Sequence, residues 1–260
     1  MSPEPTDSAA LFDYVLSLAD DSLIAAQRMG EWIAASPQIE EDVALGNIAL
    51  DLIGQARSLL TYAGQVEGLG RDEDDLAFFR DEPSFRSVHL VERPHGQHGG
   101  DFGATMARLL ILSCYQYELY SRLRASTDET LAAVAAKAVK EVDYHRDHAT
   151  MWVLRLGEGT EESRERMQAG LDAEWPFADE LFGNEHIAPA LLESAVAVDP
   201  ATLRDPWDKH VSEVLALATL TTPEEHPPIT GGRTGLHSQQ MGYLLAEMQH
   251  LARSHPGATW

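Results

Sequence analysis

The sequence predicts an all-α protein, a four-helix bundle with additional helices toward its C-terminus, on three observations. Apolar residues recur at three- and four-residue steps through four long segments, the spacing of one face of a helix. No segment shows sustained apolar–polar alternation, so no sheet is indicated. Finally, Pro- and Gly-containing stretches separate the periodic runs, and acids, serines and prolines stand where those runs begin.

The first helix is expected from Ala9 to Ala35, with Leu11, Val15, Leu18, Ile24, Met29 and Ile33 on its stripe, and Ser36-Pro37 stops it. The second runs from about Glu40 to Gln65, carries Val43, Ile48, Leu52, Ile53 and Leu59, and ends in EGLGR. An acidic segment, RDEDDLAFFRDEP, and a polar loop, ERPHGQHGG, fill the long connection that follows. Asp101 is placed to cap a third helix reaching Arg124, and Ser126 with Glu129 has capping-box spacing for a fourth that reaches Leu156. Past Gly157 and Gly159, a fifth helix extends from Glu161 to about Phe182. Asp199-Pro200 has the form of an N-cap followed by proline at the first helical position. A loop, TPEEHPPITGGRTG, leads into a last helix from Ser238 to Arg253. Two antiparallel pairs joined by a longer crossover make residues 1–260 a single domain of ferritin-like architecture.

Composition narrows the function classes. At 44% hydrophobic over 260 residues the chain can bury a large core. Cys114 is the only cysteine, which excludes an internal disulfide framework and a multi-thiolate metal site. Nineteen Lys+Arg against 42 Asp+Glu leave a net charge of −23. That field repels phosphate backbones, so nucleic acid is not an expected partner. It also disfavours a coenzyme A thioester unless a basic patch or a second protein supplies positive charge. The opening MSPEPTDSAALFDY lacks the basic-then-apolar pattern of a signal peptide, and no uncharged apolar run approaches the ~18 residues of a membrane span. The expected location is cytoplasmic.

The candidate chemistry is concentrated in KAVKEVDYHRDH, Lys137 to His148. On a helix Glu141, His145 and His148 share one side with Tyr144, like half of a carboxylate–histidine metal site. A di-iron centre of the ferritin-like kind takes a Glu from each of two helices and Glu-x-x-His from each of the other two. Here the residue three after Glu141 is Tyr144, and His145 is one further on. In the second helix Asp51 is the matching acid, but Gly54 stands where a histidine is needed and Gln55 follows. The third helix offers Glu118 alone, and the first offers Asp20, Asp21 and Glu31 without a histidine. No metal, cofactor or catalytic residue is therefore assigned to this chain. Asp51, Glu118, Lys137, Lys140, Glu141, Tyr144, His145 and His148 read as a vestigial polar cluster, with Lys137 pairing Glu141 one turn on. If the interior holds Asp51 and Glu141 without metal, a lysine or histidine must neutralise them. Other candidates carry less. The Glu247-x-x-His250 pair lies outside the four long helices, His95 and His98 fall in a loop expected to be solvated, Cys114 reads as a core residue, and GGRTG reads as a flexible loop.

Long blocks of the sequence resemble the PaaC-type subunits of ring-1,2-phenylacetyl-CoA epoxidase, also called phenylacetate-CoA oxygenase. The blocks are Asp20 to Gly64, Asp74 to Glu82, Lys137 to Ser163, Val198 to Arg204 and Thr234 to Trp260, together with the order in which they occur. The resemblance implies a ferritin-like helical fold and a place in aerobic phenylacetate degradation, where the complex epoxidises the ring of phenylacetyl-CoA with O₂ and electrons from a reductase. It implies further that the partner, a PaaA-type catalytic subunit, carries the di-iron centre and binds the thioester. This chain is then a diverged structural subunit in a hetero-oligomer, meeting the reductase only indirectly. The first two helices are expected to contribute to the contact surface. Two rival readings remain. One is a metal-dependent oxygenase using Glu141, His145 and His148. The other is a ferritin-like protein that binds the thioester or a regulator without chemistry.

Overall fold

Four long helices form the frame of the computed structural model, which describes residues 5–95, 101–224 and 226–258. They are α1 (Pro5–Gly30), α2 (Ile39–Glu67), α5 (Phe102–Leu123) and α6 (Glu129–Gly157). The shorter helices are α3 (Glu73–Phe78) and α4 (His89–Glu92) in the crossover, then α7 (Glu161–Glu174), α8 (Pro189–Glu193), α9 (Arg204–Leu217) and α10 (Gln239–Ser254). There is no strand among the described residues. Helix α1 packs along α2, α5 along α6, and α2 against α6, which closes a ferritin-like bundle. The α2–α6 pair is antiparallel: Glu41 meets His148, Asp51 meets His145, and Tyr62 meets Asp128.

Local chemistry explains most of the boundaries. Asp101 caps α5 as expected, accepting from the amides of Gly103 and Ala104. Asp199 accepts from Ala201 N and opens a 3₁₀ turn, Pro200–Leu203, that runs into α9. Three expectations are corrected. Helix α6 is capped by Asp128, which accepts from Leu131 N, and not by a Ser126/Glu129 box; the Ser126 hydroxyl instead donates to Val196 O at 2.7 Å. The fifth helix ends at Glu174, because Trp175-Pro176 starts a 3₁₀ turn and proline has no N–H to continue the ladder. Helix α1 stops at Gly30, and turns carry the chain to Ala35.

The buried apolar residues form a contiguous core to which all four long helices contribute, including Ile24, Leu45, Leu52, Leu110, Leu131 and Val142. Trp207 of α9 is fully buried in it and donates its indole N–H to Ile111 O at 3.0 Å. Helix α7 comes close to α5 because Gly170 has no side chain; a Cβ there would lie 2.5 Å from Ala104 N. No described helix is long and apolar enough to cross a membrane.

Candidate functional site

The polar cluster forms a seam between α2 and α6. His145 is fully buried, and its Nε2 bonds Asp51 Oδ2 at 3.1 Å. Glu141 accepts from Gln55 Nε2 at 3.1 Å and pairs with Lys137 Nζ at 3.3 Å. His148 Nε2 and Glu41 Oε2 approach to 3.1 Å without hydrogen-bond alignment. Burial holds both imidazoles below their ordinary range, so each is neutral near pH 7; Asp51 at His145 and Glu41 at His148 oppose the shift. As the Nε2–H tautomer, His145 donates to Asp51, and its Nδ1 has no partner among the described residues.

The structure therefore unites Asp51, Lys137, Glu141 and His145, and places His148 one step along the same seam. Tyr144 is exposed, its ring centroid 6.3 Å from that of His145 and 6.0 Å from that of His148. Lys140 is exposed and Glu118 is not in the seam; Glu118 pairs with Arg122 at 2.9 Å and lies close enough to His210 to influence it. Those two placements correct the eight-residue cluster read from the sequence, because a period of 3.6 carries Lys140 off the face that Lys137 and Glu141 share. Of the two seam acids, Asp51 has the histidine, His145, as its partner, and Glu141 has the lysine, Lys137. Glu41 was missed, since no local spacing ties it to His148, and Gln55, noted after Gly54, was left out of the cluster because an amide is not a usual metal ligand.

The residues present do not fit a di-iron centre. Each of the two histidines is directed at its own carboxylate. Lys137 places an ammonium beside Glu141, and Gly54 and Tyr144 occupy positions where donors would be required. No group of three or more His, Cys, Asp or Glu side chains able to hold a metal occurs among the described residues. Glu247 and His250 are both exposed.

Several residues set aside on the sequence are engaged. His95 is buried, not solvated: its Nδ1 accepts from Trp32 Nε1 at 3.0 Å, and its Nε2 meets Arg28 O. His98 lies outside the described residues. Glu31 binds Arg28 at 2.6 Å and lies 3.8 Å from His95 Nε2, so it does have a neighbouring histidine. The GGRTG segment is a tethered 3₁₀ turn, and its Arg233 is buried against Asp21 at 2.7 Å. Cys114 is a buried core residue, and burial pushes its thiol up to about 12.

A family model described as phenylacetic acid catabolic protein matches residues 2–260. One of the subunits of the 1,2-phenylacetyl-CoA epoxidase of Escherichia coli strain K12 is similar to this chain. It is 45% identical over 247 residues, covering 95% of this chain and 98% of that protein.

Proposed function

We propose that this chain, which belongs to the phenylacetic acid catabolic protein family, is a non-catalytic subunit of a phenylacetyl-CoA-epoxidising complex in the cytoplasm. Its role there is to assemble with and support a PaaA-type subunit that holds the di-iron centre and the thioester. The observation that carries this reading is the 45% identity to an epoxidase subunit over 95% of the chain. The seam supports it. Side chains that a metal would require are engaged with one another, and a lysine stands beside Glu141, the acid such a site would need. The net charge of −23 supports it too, because an anionic thioester is better held by a partner.

Elemental analysis tests the reading. The chain purified alone from iron-replete cells is expected to hold no stoichiometric iron and to show no epoxidase activity. Co-expressed with the PaaA-type subunit, it is expected to co-purify in a complex that holds both. One or two irons bound per chain in the isolated protein would sink this reading.

A further inference from the structure

Residues 231–238 strap the start of α10 to the rest of the molecule, and a histidine–carboxylate pair fastens each end. At the far end His237 is itself in the strap, with its side chain fully buried. Its Nδ1 meets Glu92 Oε1 at 2.6 Å, and its Nε2 meets Phe85 O at 3.1 Å. Both neighbours are acceptors, and a neutral imidazole has one N–H to give. Both contacts are hydrogen bonds only when the pair holds one proton more than a carboxylate and a neutral ring. Glu92 Oε2 in turn takes the Ser238 amide at 2.9 Å and the Ser238 hydroxyl at 2.6 Å.

The near end repeats the arrangement. His89 Nδ1 bonds Glu180 Oε2 at 2.9 Å, and Glu180 Oε1 takes the amides of Gly231 and Gly232 at 2.9 and 2.8 Å. The His89 ring lies against the strap, its Cε1 3.7 Å from where a Cβ of Gly231 would stand. Each carboxylate thus joins a histidine on one side to strap backbone on the other.

Charge balance ties the fastening to protons. Of the buried acids here, Asp20 has Arg80 and Asp21 has Arg233. Among the described residues, Glu92 and Glu180 have only His237 and His89 as cations in direct contact with their carboxylates. Arg28 reaches Glu92 through the backbone oxygen and spends its charge on Glu31. Arg86 bonds Pro83 O and Phe85 O and lies 3.9 Å from Asp13. His186, near Glu180 and Arg233, stays neutral because burial lowers it to about 3, and burial keeps Tyr115 protonated. The hydrogen bond to Glu180 raises His89 above its ordinary 6.5. Without the two protons, Glu92 and Glu180 become buried charges lacking a contacting cation, which is costly.

We propose that the strap is a proton-operated clasp. With both protons bound it is shut at Glu180 and at Glu92. As the pH rises and the protons leave, residues 231–238 and the first turn of α10 come free, while the four long helices stay folded. The far part of α10 remains pinned, through Gln249 to Ala77 O and Arg80 O and through Arg253 to Phe78 O.

Hydrogen exchange on the full-length chain, corrected for the chemical rate, reads the clasp through the Gly231, Gly232 and Ser238 amides. Between ~pH 6 and ~pH 9 their protection should fall at least ~10-fold, while α5 keeps its own. His89→Gln and His237→Gln should each lower strap protection at ~pH 6 and flatten its pH dependence, with His148→Gln in the seam as the unchanged control. Equal wild-type strap protection at the two pH values overturns the clasp. Parallel loss in α5 also overturns it, by making the transition global unfolding. If neither strap variant folds, nitrogen NMR of the wild type decides: a hydrogen in both ring contacts of His237 is expected at ~pH 6, and an empty Nδ1 contact there overturns the clasp.

Discussion

Two of the sets of buried ionisable groups among the described residues are built differently. The α2–α6 seam is sparsely paired and open to solvent on one side. The strap at residues 231–238, which leads into α10, is densely paired around its carboxylates. There Glu180 Oε1 accepts from the amides of Gly231 and Gly232, and Oε2 accepts from His89 N and Nδ1. Glu92 takes His237 Nδ1 on one oxygen and the Ser238 amide and hydroxyl on the other. Asp21 receives Val88 N and Arg233, while Asp20 is held in a fork by Arg80. The strap's carboxylates are all partnered, though Arg233 Nε is not, whereas among the described residues the seam leaves His145 Nδ1, Gln55 Oε1, Glu41 Oε2 and His148 Nε2 without a hydrogen bond. Dense pairing of buried carboxylates is what secures the strap to the fold, and the seam holds fewer such bonds.

That contrast can be broken by substitution. Arg233→Ala should have the largest effect, because it strands Asp21 in the interior: a loss of about 3–5 kcal/mol in urea unfolding, with α10 among the first regions to lose exchange protection. Next comes His145→Ala, at about 1–3 kcal/mol, with Asp51 eased by solvent and Glu141 still held by Gln55 and Lys137. A His145→Ala loss as large as that of Arg233→Ala would erase the distinction between the regions.

The pH response sharpens the comparison, since the two regions should tilt in opposite directions. The hydrogen bond to Glu180 raises His89 above the ordinary 6.5, so its contribution is complete below 6.5 and is lost as the pH rises through the folded value. Burial lowers His145 below 6.5, so its contribution is complete above 6.5 and is lost as the pH falls through the folded value. Replacing either histidine with Gln should remove the corresponding slope from the unfolding free energy against pH, each below the ~1.4 kcal/mol per pH unit of a single proton. Slopes of the same sign would contradict the assignment. Smallest of all, Lys137→Ala should cost about 0.5 kcal/mol or less, because the lysine side chain is 71% exposed and precedes its acid in the less favourable order. That loss should fade at high salt.

Legibility in the sequence followed the range of the interaction. Asp101 and the Asp199-Pro200 start were readable because a cap acts within three residues. The Lys137–Glu141 pair was readable for the same reason, being one helical turn apart. Asp128 was passed over for Ser126 because both suit a cap, and the backbone path decided between them. The partners of Asp51, Glu41 and Arg233 lie 94, 107 and 212 residues away, and no local spacing encodes such distances. Val43, Ile53 and Ile33 satisfied the helical period yet face outward, because periodicity identifies an apolar face without saying which neighbour covers it.

The sequence by itself determined the all-helical class, the four long helices and the absence of a paired Glu-x-x-His set, since propensity, periodicity and ligand spacing are properties of short stretches. Only the tertiary structure decided which charges meet, that Arg233 is a buried anchor in what read as a loose loop, and that α2 carries a second apolar face. Those outcomes depend on how helices distant in sequence are brought side by side, and it is packing of the core that sets them.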